Sequence, residues 1–272
     1  METSNLILFY LEKKQRKAKK ILEALKTPNN CLIELNFKRG NFSKLYRSKL
    51  GAEGVMGVCE ALTHPNNKVL RLSLESNELK DQELNHIALA LQSPKNNLTH
   101  LNLCNNLLSQ KGIQSLASSL QNPNNKLTHL NICNNAINHA GAFYLSKAIR
   151  SKLLYLNLAG NNIGPQGASA LAWSLSSERT KLKSLYLCHN NIGDQGAKSI
   201  SEALPLSRLR NLGLMDNNIQ YEGGRAIAAA LKDSRTKLKF LCLDFNQVGF
   251  SIKCLCQEKN IEVNIGSSVL IN

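Results

Sequence analysis

The sequence predicts an α/β solenoid of about eight repeats, and three observations predict it. A template, L-x-x-L-x-L-x-x-N-x-L, fits at Leu32, Val69, Leu98, Leu127, Leu153, Leu182, Leu209 and Leu238. The intervals are 37, 29, 29, 26, 29, 27 and 29 residues, and the long first one contains the eight-residue insertion SKLYRSKL (43–50). Within each unit the apolar period changes from two to about 3.6. A period of this length marks stacked units that each pack only on their neighbours. The 272 residues therefore read as one elongated domain and not as two.

The first half of a unit, such as LTHLNL, alternates apolar and polar residues, which suits a short strand with one buried face. The second half has helix spacing: in GIQSLASSL (112–120), Ile113, Leu116, Ala117 and Leu120 share a face. Gly54, Gly112, Gly141, Gly167, Gly196 and Gly223 are expected to open these helices and to permit a tight crossover from the strand. The segments TPNN, HPNN, SPKNN and NPNN follow helices, and each carries a Pro that cannot continue one. A column of Asn77, Asn106, Asn135, Asn161, Asn190, Asn217 and Asn246 marks the turn after each strand. An Asn amide both donates and accepts, so one per repeat can satisfy backbone groups that lack ladder partners. The column reads as structural.

Three segments result: a basic N-terminal cap (1–31), the repeats (32–248), and a C-terminal cap and tail (249–272). ILEALKTPNN (21–30) aligns with a helix end such as VCEALTHPNN, whereas LILFYL before it is a damaged unit or part of a cap. IKCLCQEKN (252–260) reads as a helix and IEVNI (261–265) as a last strand. LILFYL is too short to span a membrane and follows an acidic start, so neither a transmembrane segment nor a cleavable signal is expected.

With the template, the Asn column and the helix pattern together, residues 21–248 resemble leucine-rich repeats of the ribonuclease-inhibitor type. The resemblance implies a horseshoe with parallel strands on the concave face and helices on the convex face. It implies protein binding, usually on the concave face. In style the compact array is similar to the eukaryotic-like leucine-rich-repeat effectors that intracellular bacteria deliver into host cells, and its Lys- and Asn-rich composition suits an AT-rich genome.

LTHLNLCNN (98–106) and LTHLNICNN (127–135) raise the question of metal chemistry. His100, Asn102 and Cys104 point one way, as do His129, Asn131 and Cys133. His and Cys of one strand lie about 13 Å apart at 3.3 Å per residue, whereas zinc bonds are about 2.0–2.3 Å. A His2Cys2 site is not expected on that ground; a weak His100/His129 metal pair and an oxidised Cys104/Cys133 bridge remain as minor alternatives. The eight cysteines otherwise suit a reducing cytosol in which thiols stay free. We read no catalytic residue, no metal site and no cofactor. NIGPQG and NIGDQG are repeat turns and not phosphate loops. Related folds include activators of a nuclear-transport GTPase, so a GTPase regulator stays as an alternative class.

The outward strand positions grade along the chain from Glu34, Asn36, Lys38, Arg39, Arg71 and Glu75 to an aromatic C-terminal half. Tyr155, Tyr186, His189, Met215, Asp216, Phe240, Asp244 and Phe245 are the expected partner-binding residues, because aromatic and Met side chains give large contact area. Packing of Phe240 and Phe245 beneath the C-terminal cap is the plainer account of those two. Trp173 falls on the outward helix face, where Ser118, Lys147, Glu202 and Ala229 stand in other repeats.

The formal charge is +15, and +10 of it falls in residues 13–49, where twelve bases meet only Glu23 and Glu34. Lys13, Lys14, Arg16, Lys17, Lys19, Lys20, Lys38, Arg39, Lys44, Arg47 and Lys49 form a candidate basic patch for an acidic protein, an anionic membrane or a polyanion such as nucleic acid; a solvated cap is the alternative. No base-reading motif accompanies it, so sequence-specific nucleic-acid binding is not expected. The sequence thus points to a non-enzymatic module that binds a protein, such as a host protein with an acidic surface. It is expected in a cytosolic environment, which for a secreted bacterial effector is the host cytoplasm.

Overall fold

The computed structural model describes residues 23–38, 50–249 and 251–265. Backbone packing divides the chain into two units, the first ending at Asn131 and the second beginning at Ile132. The first contains β1 (Glu34–Asn36), α1 (Gly51–Leu62), β2 (Arg71–Ser73), α2 (Asp81–Leu91), β3 (His100–Asn102), α3 (Gln110–Leu120) and β4 (His129–Asn131). The second contains α4 (Asn138–Ala148), β5 (Tyr155–Asn157), α5 (Gly164–Leu175), β6 (Ser184–Tyr186), α6 (Gly193–Ala203), a 3-10 turn (Leu204–Leu206), β7 (Asn211–Gly213), α7 (Tyr221–Lys232), β8 (Phe240–Cys242), α8 (Ser251–Glu258) and β9 (Glu262–Asn264). In each unit the strands pair in parallel and in chain order, as expected of α/β repeats.

The strands are three residues long, and their middle leucines carry the packing. Leu35, Leu72, Leu101 and Leu130 are buried in the first unit, and Leu156, Leu185, Leu212 and Leu241 in the second. Each buried Leu contributes about 1.5–3 kcal/mol. The helices bury the stripe expected of them; in α3 it is Ile113, Leu116, Ala117 and Leu120. Among the described residues no helix is long and apolar enough to cross a membrane.

The glycine column has a different reason from the expected one. The helices start earlier, at Gly51, Gln110, Asn138, Gly164, Gly193 and Tyr221, so Gly54, Gly112, Gly141, Gly167, Gly196 and Gly223 lie within the first turn. None of them has a left-handed φ. Gly112, Gly167, Gly196 and Gly223 mark close approach between helices. A Cβ on Gly112 would stand 3.0 Å from Asp81 Cα in α2, and one on Gly223 3.1 Å from Asp194 Cα in α6. The crossover itself falls to Gly164 and Gly193, whose φ values of 64° and 62° suit glycine.

Six members of the Asn column are buried; Asn135 is half-buried. Asn190 shows the arrangement. Its Oδ1 accepts from the N–H groups of Asn161 and Ile163, at 2.9 and 3.2 Å, one repeat earlier. Its Nδ2 donates to the carbonyls of Leu158, Leu187 and Cys188 at 2.9, 3.0 and 3.0 Å. Asn106 makes the corresponding bonds to Asn77, Leu79, Leu74, Leu103 and Cys104 in the first unit. A second Asn row lies in the loops after the helices. Asn67, Asn96 and Asn125 donate to the carbonyls of Leu62, Ala90 and Ser119, and accept from the N–H groups of Val69, Leu98 and Leu127. Thr180 and Thr236 make the helix-end bond in the second unit. The repeated PNN is thus a cap as well as a stop.

Replacing Asn190 by Ala leaves two N–H groups and three carbonyls without that partner. The expected loss is about 3–5 kcal/mol in urea unfolding. A loss below about 1 kcal/mol would show that water can enter and take the place of the amide.

Candidate functional site

In the second unit the strand register builds two rows of outward residues. The first is Tyr155, Ser184, Asn211, Phe240 and Glu262; the other is Asn157, Tyr186, Gly213, Cys242 and Asn264. Tyr155 and Tyr186 belong to different rows, yet their ring centroids lie 5.5 Å apart at a tilt of 45°. Both rings are half-buried. Burial pushes both phenols above their ordinary value, Tyr155 further through Tyr186, and Tyr186 further through Cys188 and Cys242.

Gly213 makes the place for the Tyr186 ring. A Cβ there would lie 2.7 Å from Tyr186 Cδ1 and 3.1 Å from Cys188 Sγ. Reading the sequence for aromatics missed this residue. The signal was a glycine at an outward strand position, in the place that Tyr186 holds one repeat earlier.

Beyond the strands, the residue before each column Asn takes a left-handed φ: Ser76, Asn105, Asn134, Gly160, His189, Asp216 and Phe245 lie between 49° and 65°. Asn, Asp, His and Gly tolerate this conformation; a bulky residue there is an outlier. Phe245 is that outlier, and it is 75% exposed. The packing account of Phe245 beneath the cap therefore does not describe it. Phe240 is half-buried, in register with Asn211 and Glu262. His189 Nδ1 lies 2.8 Å from Asp216 Oδ2 at the exposed surface. The carbonyl of half-buried Met215 accepts the N–H of His189, and that of Asp244 accepts the N–H of Asp216. The expected partner-binding residues thus belong to one sheet face and the turns at its end.

Of the candidate basic patch, Lys38 is described, and its ammonium lies 2.9 Å from Glu75. Lys13, Lys14, Arg16, Lys17, Lys19, Lys20, Arg39, Lys44, Arg47 and Lys49 lie outside the described residues. Trp173 is 65% exposed, with the guanidinium of Arg150 4.2 Å from its ring centroid. That stacking covers one side of the indole.

His100 and His129 stack in the first unit, with ring centroids 4.1 Å apart and planes 10° from parallel. Each Nδ1 lies 2.9 Å from a neighbouring Thr hydroxyl, that of Thr99 or Thr128. Among the described residues no group of three or more His, Cys, Asp or Glu is placed to hold a metal. Burial holds Cys242 up at about 11 and Cys59 up at about 12, so neither is a thiolate near neutral pH. Cys31, Cys59, Cys188, Cys242, Cys254 and Cys256 are free thiols. Cys104 and Cys133 are not, which corrects the expectation of a wholly reduced set. That expectation came from composition and compartment, and neither speaks to the local geometry a repeat imposes on its cysteines.

Burial lowers the pKa of both His100 and His129, with Arg71 adding to each and His129 adding to His100. The unfolded imidazoles, at about 6.5, take up protons before the folded ones. The stability from this pair is present above about pH 6.5 and is lost as the pH falls through the folded values. Urea midpoints should fall between pH 7.5 and 5, and a His100→Gln, His129→Gln variant should show a shallower fall; an unchanged slope would refute the assignment. Phe245→Asn relieves a left-handed aromatic and should raise stability by about 1 kcal/mol in the same assay; a loss would mean that the ring packs.

Family models described as leucine-rich repeat match residues 97–119, 124–146, 151–172, 179–201 and 209–228. No curated protein matches the chain. Among solved structures, an internalin from Listeria monocytogenes is similar at 18% identity and a TM-score of 0.53, over 88% of this chain and 62% of that one. This chain thus spans less than two thirds of the length of that internalin, and the likeness is one of fold. Leiomodin-1 actin-binding site 2 aligns at 16% identity over 88% of this chain and 92% of that one, with a TM-score of 0.35, too distant to bear on the fold. Five of the units in this chain match leucine-rich-repeat models, and its parallel strands and helices have the architecture of a leucine-rich-repeat solenoid.

Proposed function

We propose that the chain is a non-enzymatic protein-binding module, and that the strand face of its second unit, from Tyr155 to Phe245, holds the partner. The observation that carries this reading is Phe245. An aromatic 75% exposed, in a backbone conformation that disfavours it, has no stabilising role in the fold. Tyr155, Tyr186 and Met215 add half-buried contact area beside it, of the kind that interface hot spots use. Repeat lengths of 26–29 residues favour the ribonuclease-inhibitor type. The compact, Lys- and Asn-rich repeat array favours a bacterial effector that meets a host protein.

Capture of partners from eukaryotic cytosol at physiological salt tests the reading. The intact chain is compared with a Tyr155→Ala, Tyr186→Ala, Phe245→Ala variant of unchanged helicity. The expected result is a partner retained by the intact chain and weakened at least tenfold with the variant, about 1.4 kcal/mol. Equal recovery with both would remove this face as the site.

A further inference from the structure

A second feature of the same unit bears on what the partner looks like. Immediately before the strands, Lys183, Arg210 and Lys239 stand side by side. The N–H of Lys183 bonds to the carbonyl of Leu154 at 2.8 Å, that of Arg210 to Lys183 at 2.8 Å, and that of Lys239 to Arg210 at 2.7 Å. Two residues earlier in each repeat stand Lys181, Arg208 and Lys237, and Lys152 holds that place before β5. All seven cations are exposed. Neighbouring strands lie about 4.8 Å apart, so the row concentrates positive charge along one edge of the sheet.

Acids do not neutralise the cations before β6, β7 and β8. Among the described residues, Lys181, Lys183, Arg208, Arg210, Lys237 and Lys239 make no ion pair. Asp233 is taken by Arg235 at 2.7 Å. Arg208 reaches only the backbone carbonyl of Glu178, at 3.5 Å. Glu262 is exposed on the next strand, in register with Phe240. The opposite edge carries the other sign, with Asp216 and Asp244 at the turns that leave the strands. From Lys239 to Asp244 is about 16 Å at 3.3 Å per residue. The face is polarised, with bases at one edge, tyrosines between and acids at the other.

We infer that the Lys183–Arg210–Lys239 edge receives an acidic segment of a protein partner. This rests on the strand face being the partner site. A peptide suits both edges, because it can present carboxylates to the bases and a polar or cationic group to the acidic edge, where Asp216 already meets His189. A nucleic acid or an anionic membrane is negative throughout, and the acidic edge opposes it. The row is distinct from the N-terminal basic run and lies in a separate part of the sequence.

Fluorescence anisotropy with a short labelled peptide of alternating Glu and Ala that ends in Lys tests the inference. The intact chain is compared with three full-length variants: Lys183→Gln, Arg210→Gln, Lys239→Gln; Lys13→Gln, Lys14→Gln, Lys17→Gln, Lys19→Gln; and Tyr155→Ala, Tyr186→Ala. Neutralising the edge should weaken the peptide about tenfold at low salt and flatten the salt dependence, with urea unfolding unchanged. Neutralising the N-terminal run should change it less. The inference is overturned if the edge variant binds like the intact chain, if the N-terminal variant accounts for the loss, or if a single-stranded oligonucleotide binds the same edge more tightly than the peptide. Peptide binding that depends on the edge but survives in the Tyr variant would uphold the edge and remove the tyrosine site. Partner capture that depends on the tyrosines but survives in the edge variant would do the reverse.

Discussion

In the turns that follow the described strands, buried N–H and C=O groups such as those of Asn161, Ile163 and Leu158 need a partner that the strand ladder does not supply. A single side-chain amide per repeat takes these groups on. Asn190 accepts two N–H groups from the repeat before it and donates to carbonyls of its own turn and of that same earlier repeat. Asn217 and Asn246 repeat the pattern toward the C-terminus. Leucines supply the free energy of burial, but they are non-directional. The amides are directional, and they fix where each turn sits relative to the one before it.

Once the turn is fixed, so is the backbone of the residue before the Asn. Its left-handed conformation suits Asn105, Asn134 and Gly160, and it is compatible with His189 and Asp216. Phe245 alone in this column has neither a steric nor a hydrogen-bonding reason to be there. The scaffold tolerates it because leucines and amides elsewhere determine the turn. In the neighbouring strands Gly213 gives up a side chain so that the Tyr186 ring can lie across the sheet. Strain at Phe245 and a missing Cβ at Gly213 fall on the same face, where local stability has given way to a particular surface.

Charge follows a similar logic. The net value of +15 says little about where a partner meets cations. Lys38, near the start, is already engaged by Glu75. The repeat, by contrast, copies a position along the sheet edge. Bases at one template position become neighbours in space even though about 27–29 residues separate them in the chain.

The sequence by itself determined the repeat count, the alternation of strand and helix, the buried leucines and the Asn positions, because each follows from a period that survives in one dimension. It also picked out the aromatic outward column, since strand alternation decides which side chains face out. It could not assign Gly112 and Gly223, within the first turn of their helices, because their reason is the Asp81 or Asp194 backbone of the helix one repeat earlier. Nor could it tell that Phe245 is exposed and left-handed, that Gly213 beds Tyr186, or that Thr180 does for its loop what Asn125 does for another. The bed for Tyr186 depends on distances between residues of different repeats, and the Phe245 and Thr180 placements on loop geometry within one repeat. Periodicity says which residues are equivalent, and only the packed register says how closely they meet.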